Sequence, residues 1–368
     1  MVTALTNSII LTNGTEVYGK TVLVEGDKIV NVIHADDIPP DSKIVNLEGN
    51  YLAPGLIDLQ IYGSGGKLFG GIPTVEALKQ MEEDLLLQGT TGFLATVATN
   101  TPEIVERAIS AAKSYRKHSK GNFLGLHLEG PYLNPIRKGA HPETLIKKAS
   151  LTEVRSWIEQ ADGEIKMITI APELQSRDVI DYLNEQGIII SCGHSDATYE
   201  EATDFFDLLP AATHLFNAMP PIHHRQPGLI PAIFNKKPYT SIVADGIHVN
   251  FAMINLAKQL LGDKLFIITD AVTDANEGVY QHVFTGDRYT MPDGTLSGSA
   301  LTMLSAVKNC FHEAGIALSE AINMASLYPA RLIKSDDKGK IEAGYHADLL
   351  AFDKEFRIKK VWLNGNLA

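Results

Sequence analysis

The sequence predicts an α/β protein: a (β/α)8 TIM-like barrel with a small β-sandwich domain formed from both chain ends. Three observations carry this. Eight short apolar runs alternate with helical patterns through the middle of the chain, both ends read instead as strands and tight turns, and ionisable residues recur where several of the eight runs stop. The 368 residues exceed the ~250 of a bare barrel, which leaves room for an accessory domain.

Apolar and polar positions alternate in residues 8–11 and 21–24, broken by Asn13-Gly14 and Glu25-Gly26-Asp27, which is strand and turn chemistry. Residues 348–352 and 357–363, followed by Asn364-Gly365, have the same character. One small domain made of residues 1–51 and 344–368 is therefore expected, with a catalytic barrel spanning 52–343 inserted between. Barrel strands are expected at 52–61, 92–99, 123–128, 165–171, 188–192, 211–215, 240–244 and 265–269, because parallel strands covered on both faces read as near-continuous apolar runs. The stretches 74–88, 102–117, 176–186 and 251–261 carry helical periodicity, several opening on Thr, Ser or Pro as helices do.

A doubly wound open sheet is the competing architecture, and it requires a Gly-rich phosphate turn after its first strand. Gly63-Ser64-Gly65-Gly66 follows the first run but matches neither the dinucleotide nor the P-loop spacing. The long connection 273–296 holds two turn-bounded runs, 283–289 and 291–294, that predict a hairpin; connections of this length often serve function.

Asp and Glu outnumber Lys and Arg by 44 to 32, a net charge of −12 with no basic run, so a phosphate backbone is repelled and nucleic acid is excluded as a partner. Only Cys192 and Cys310 are present, and no apolar run approaches the ~18 residues of a membrane span, so neither a disulfide framework nor a membrane anchor is expected. The first residues lack the pattern of a signal peptide, which points to the cytoplasm.

Barrel enzymes place their chemistry at the carboxyl ends of the strands. Glu129 ends the third run in His127-Leu128-Glu129-Gly130-Pro131, and His194 ends the fifth in Gly193-His194-Ser195. His214 lies in the sixth, His248 follows the seventh, and Asp270 closes the eighth. Two imidazoles and a carboxylate with one open position form the ligand set of a catalytic zinc site, so Glu129, His194 and His214 are the expected metal ligands. His127, two residues before Glu129, faces the same way one layer deeper and is expected as a hydrogen-bonded core residue. Cys192 reads as a small buried hydrophobe. His223 and His224 read as surface residues of a Pro-bounded loop, and His34, His118, His282, His312 and His346 lie away from the run ends and are given no role.

The motifs Pro54-Gly55-Leu56-Ile57-Asp58, His127-Leu128-Glu129-Gly130-Pro131, Gly193-His194-Ser195-Asp196-Ala197-Thr198, Thr213-His214-Leu215-Phe216-Asn217-Ala218-Met219 and Ala244-Asp245-Gly246-Ile247-His248-Val249 together resemble the N-acetylglucosamine-6-phosphate deacetylases of the amidohydrolase superfamily. The likeness continues through Thr295-Leu296-Ser297-Gly298-Ser299 to Leu327-Tyr328-Pro329-Ala330. It implies hydrolysis of the acetamide of an amino-sugar phosphate, with Glu129, His194 and His214 on the metal and Asp270 as acid/base. It further implies that His141, beside Ala140, meets the acetyl carbonyl, and that Asn217, Ala218, Arg225 and His248 bind the sugar phosphate. Leu296, Ser297 and Gly298 would close over the substrate, and Arg225 would reach the neighbouring subunit's site in a homodimer.

One departure bears on the metal count. Many amidohydrolases carry His-x-His after the first strand, but here the segment reads Asp58-Leu59-Gln60-Ile61-Tyr62 and both ligands are missing, so one divalent ion is expected, zinc or another such as Fe2+, with Gln60 at most near bound water. Rival readings are a deacetylase of another epimer such as N-acetylgalactosamine-6-phosphate, a deaminase or cyclic amidase on the same fold, and a non-catalytic scaffold that kept the barrel. The scaffold reading requires gaps among Glu129, His194, His214 and Asp270, and all four are present.

Overall fold

The computed structural model describes residues 1–275 and 278–368. Eight parallel strands run in sequence order around a barrel: β1 (Leu56–Ile61), β2 (Thr90–Ala98), β3 (Phe123–Glu129), β4 (Ile165–Ile170), β5 (Ile189–Cys192), β6 (Ala211–Ala212), β7 (Tyr239–Val243) and β8 (Leu265–Ile268). The ring closes between the ends of β8 and β1, where the Asp270 N–H donates to Gln60 O at 3.0 Å and the Tyr62 N–H to Ala271 O at 2.9 Å. An open sheet has no such seam, so the doubly wound alternative falls.

The helices between the strands start where the sequence caps them. Val75–Leu87 begins after Thr74, whose side chain accepts from the Ala77 N–H, and Phe251–Leu261 after Asn250, which accepts from the Ala252 N–H. Their apolar faces pack on the outside of the barrel in one large core that includes Leu78, Met81, Leu85, Ile254 and Ala257. No helix among the described residues is long and apolar enough to cross a membrane.

Both chain ends build the small domain. A four-stranded sheet takes Lys28–His34, Lys20–Glu25, Thr3–Thr6 and Lys43–Asn46, in that spatial order. A six-stranded sheet joins C-terminal strands, Leu349–Phe352 among them, to Tyr51–Pro54 and Ile9–Thr12. Leu5, Ile10, Val22, Ile29, Leu52, Leu349 and Trp362 fill a separate core with the rest of the sandwich.

The first apolar run is two strands rather than one. Tyr51–Pro54 pairs with Leu349–Phe352 in the small domain, three residues past the expected boundary, and β1 begins only after Gly55. A Cβ on Gly55 would lie 2.0 Å from Thr91 Oγ1, so only glycine lets the chain pass from sandwich to barrel there. Apolar character marks burial but cannot separate two buried strands in different sheets. The 273–296 connection forms a three-stranded meander of Val283–Phe284, Arg288–Thr290 and Leu296–Ser299 where a hairpin was expected; residues 276 and 277 of it lie outside the described residues.

Candidate metal centre and active site

The carboxyl mouth of the barrel gathers Glu129 from the end of β3, His194 two residues past β5, His214 two residues past β6 and Asp270 two residues past β8. His194, His214 and Asp270, each two residues past its strand, adopt φ of 49°, 35° and 54°, and Ala218, farther along the loop after β6, adopts 49°. Non-glycine residues in the left-handed region carry strain on the order of 1–3 kcal/mol each and cluster at functional sites. Each turn swings a side chain from the barrel wall into its mouth.

The donor atoms converge. His214 Nε2 lies 3.1 Å from Glu129 Oε1 and 3.1 Å from His194 Nε2, and His194 Nε2 lies 3.6 Å from the same oxygen. His141, on the loop after β3, places Nε2 3.3 Å from Glu129 Oε2. Glu129, His141 and His194 offer donors that all fall within 4.8 Å of one another, and His214 joins them through its contacts with Glu129 and His194. Gly139, at φ 56°, lets this loop lie against His194, since a Cβ there would sit 3.2 Å from His194 Cε1.

The electrostatics suit a cation. Burial opposes ionisation of Glu129, but the imidazoles gathered round it, His141 and His214 nearest, outweigh it and hold the carboxyl well below the usual range. Burial, then the neighbouring His141, pushes the His194 imidazole down to about 4, so it is neutral at pH 7. Its Nδ1 lies 2.7 Å from Arg137 O and donates there, which leaves the Nε2 lone pair facing the cluster. For His214 burial acts downward, yet the Glu129 hydrogen bond and charge exceed it and the net shift is upward. Its Nδ1 is buried without a hydrogen-bond partner among the described residues. Two imidazole nitrogens 3.1 Å apart, both turned to one buried carboxylate oxygen, are a donor set that fits a divalent ion.

Asp270 stands beside this group. Its Oδ1 accepts from Gln60 Nε2 at 2.7 Å and lies 3.3 Å from the Tyr62 hydroxyl, and Gln60 Nε2 also lies 2.9 Å from Glu129 Oε1. Burial raises the Asp270 carboxyl, the His214 imidazole pulls it back, and the charge of Glu129 raises it again, for a net rise.

Ala140, Asn217, Ala218, His248, Leu296, Ser297 and Gly298 line the cavity over these groups, with His141 and Asp270. Asp245 orients His248: Oδ2 accepts from Nδ1 at 2.5 Å while Oδ1 accepts the Ile247 and His248 N–H groups, both at 2.8 Å. Arg225 is exposed on its loop and does not line the cavity of its own chain.

Sequence reasoning missed three residues. Tyr62, at the second position of the lost His-x-His pair, donates its hydroxyl to Glu129 Oε2; the strand alternation from Asp58 through Gln60 was the available signal. Gln60, expected at most near bound water, bonds Glu129 and Asp270. His282, given no role, is buried at the site with Nδ1 2.9 Å from Ser297 Oγ and its ring stacked 5.7 Å from Tyr280. It arrives on the folded-back meander, which no local pattern places. His127 is a core residue as expected, bonded to Leu59 O at 3.0 Å and Thr169 Oγ1 at 2.7 Å.

Residues 51–368 match the sequence model of the amidohydrolase family. The chain is 35% identical to the N-acetylglucosamine-6-phosphate deacetylase of Haemophilus influenzae, over 98% of each chain. The crystal structure of N-acetylglucosamine-6-phosphate deacetylase from Pasteurella multocida superposes with a TM-score of 0.94 at 37% identity, covering 100% of both chains. A mutant of the Mycobacterium smegmatis enzyme, solved in complex with N-acetyl-D-glucosamine-6-phosphate, superposes at 0.91 with 27% identity, covering 100% of this chain and 99% of that one. The chain thus belongs to the amidohydrolase family and, within it, to the N-acetylglucosamine-6-phosphate deacetylases.

Proposed function

We propose that this chain hydrolyses the acetamide of N-acetylglucosamine-6-phosphate, giving glucosamine-6-phosphate and acetate, as a cytoplasmic step of amino-sugar catabolism. The observation that carries the reading is the convergence of Glu129, His194 and His214 on one point with Asp270 beside it, in a chain with these relatives. Glu129, His194 and His214 hold one divalent ion, zinc in the first instance. His214 is preferred over His141 as third ligand because its Nε2 approaches both other donors at 3.1 Å, whereas His141 meets the opposite carboxylate oxygen.

The ion, when bound, supplies Lewis acidity that polarises the amide carbonyl and makes water a nucleophile near neutral pH. Asp270 takes a proton from water as its oxygen bonds to the carbonyl carbon, then passes it to the amine nitrogen as the C–N bond breaks. Gln60 fixes the Asp270 carboxylate by bonding Oδ1. His141 donates to the carbonyl oxygen as negative charge develops there. Ala140, Asn217, Ala218 and His248 receive the sugar phosphate, and Leu296, Ser297 and Gly298 cover it. Arg225 of one subunit reaches the neighbouring subunit's cavity in a homodimer, where its planar guanidinium pairs with the phosphate.

The test is acetate release from N-acetylglucosamine-6-phosphate and from its galactosamine epimer by purified protein. Release from the glucosamine substrate with kcat/KM above that for the epimer is expected. Release from neither would overturn the reading.

A further inference from the structure

We propose that a side chamber opening from the active-site cavity seats the acyl group of the substrate, and that Leu68 and Gly70 set the acyl length the enzyme accepts. This deepens the deacetylase reading and rests on it.

The chamber shares Tyr62, Glu129, Ala140, His141 and Ser297 with the main cavity. Beyond them its wall is Leu68, Gly70, Ala98, Val272 and Tyr280, with His282 as the one imidazole. Tyr62, Leu68, Val272 and Tyr280 form a small apolar cluster of their own, apart from the barrel core. Several polar atoms at the wall already have partners: the Tyr280 hydroxyl donates to Thr99 O at 2.8 Å, His282 Nδ1 pairs with Ser297 Oγ at 2.9 Å, and the Tyr62 hydroxyl bonds Glu129. The chamber therefore shows mainly carbon to its contents and offers little to a phosphate or sugar hydroxyl.

The two cavities differ in polarity where their linings do not overlap. Asn217 and His248 lie in the main cavity alone, and the apolar wall lies in the side chamber alone. A substrate whose carbonyl sits beside Glu129 and His141 has one apolar end, the methyl one bond beyond, and the side chamber is the apolar space within that reach. Leu68 is 8% exposed and stands on the short strand Lys67–Leu68, so its side chain forms a wall that substitution can move. Gly70 is buried, and a Cβ there would meet nothing nearer than Ala98 N at 3.8 Å, so alanine fits and adds one methyl beside the chamber.

The experiment measures kcat/KM for the N-acetyl, N-propionyl and N-butyryl forms of glucosamine-6-phosphate with wild type, Leu68→Ala and Gly70→Ala. One methylene in an apolar pocket is worth about 10–200-fold in discrimination. Leu68→Ala is expected to raise the butyryl-to-acetyl ratio by about tenfold or more, and Gly70→Ala to lower the propionyl-to-acetyl ratio by a similar factor. Both ratios within about twofold of wild type, with acetate still released, would overturn the chamber assignment alone. If Leu68→Ala shows no thermal unfolding transition, the Gly70→Ala ratio decides. Wild type that releases no acetate would bring down the deacetylase reading and this inference with it.

Discussion

Asp58 offers a test of the barrel seam that can be worked through in numbers. Its carboxylate is buried at the closure of β1 on β8, where Oδ1 accepts the Gln60 and Thr269 N–H groups, each at 3.2 Å, and Oδ2 accepts the Thr269 hydroxyl at 2.5 Å. Burial raises the group from 3.8 to about 7, against the pull of those hydrogen bonds. A carboxyl raised in the folded state stabilises the fold fully below its unfolded value, and that contribution is lost as pH rises through the folded value. The whole shift is on the order of 4 kcal/mol, of which about 3 kcal/mol falls between pH 5 and pH 8. Asp58→Asn keeps the Oδ1 acceptor, places an amide donor against Thr269 Oγ1 and cannot ionise. The variant should therefore gain about 3 kcal/mol relative to wild type on going from pH 5 to pH 8. Equilibrium urea unfolding of both proteins at the two pH values measures this, because all other titrating groups are common to the pair. A stability difference that stays constant within about 0.5 kcal/mol would refute the reasoning.

Three further outcomes follow from the site. Asp270→Asn keeps the oxygen that bonds Gln60, so its metal content should hold while kcat falls about 10²–10⁴-fold; near-full turnover in a steady-state assay would remove Asp270 from proton transfer. Glu129→Gln removes the anion between the imidazoles and should weaken divalent-ion affinity by more than about tenfold, read by metal analysis after dialysis against a competing chelator; unchanged occupancy would exclude Glu129 as a ligand. Arg225→Ala should lower kcat/KM for the phosphorylated sugar about 10–100-fold and leave the unphosphorylated sugar nearly unchanged, whereas equal losses on both would count against phosphate binding.

Much of this arrangement was legible because barrel strands are buried on both faces and their ends must serve the open mouth. That is why Glu129 could be placed at the end of β3, whose expected extent fell one residue short, and Asp270 at the end of β8, whose pairing stops two residues before it. The sixth run was the instructive partial case. Its expected extent was 211–215, but pairing stops at Ala212 and His214 turns left-handed, and apolar character cannot report a change in φ. Tyr62 was missed because a tyrosine after a strand reads as ordinary core. His282 was missed because its place depends on a long connection folding back over the mouth, and Ser297, its partner, is 15 residues away in the chain. The split at Gly55 escaped for a related reason, that two sheets share one apolar run.

The hydrolase reading requires one divalent ion among Glu129, His194 and His214. Its most direct test is to strip the protein with chelator, add zinc in measured increments, and follow bound metal and acetate release from N-acetylglucosamine-6-phosphate together. Both are expected to rise in parallel and break at one equivalent per chain, with neither break in Glu129→Gln. Full acetate release from metal-free protein, or a break only at two equivalents, would contradict it.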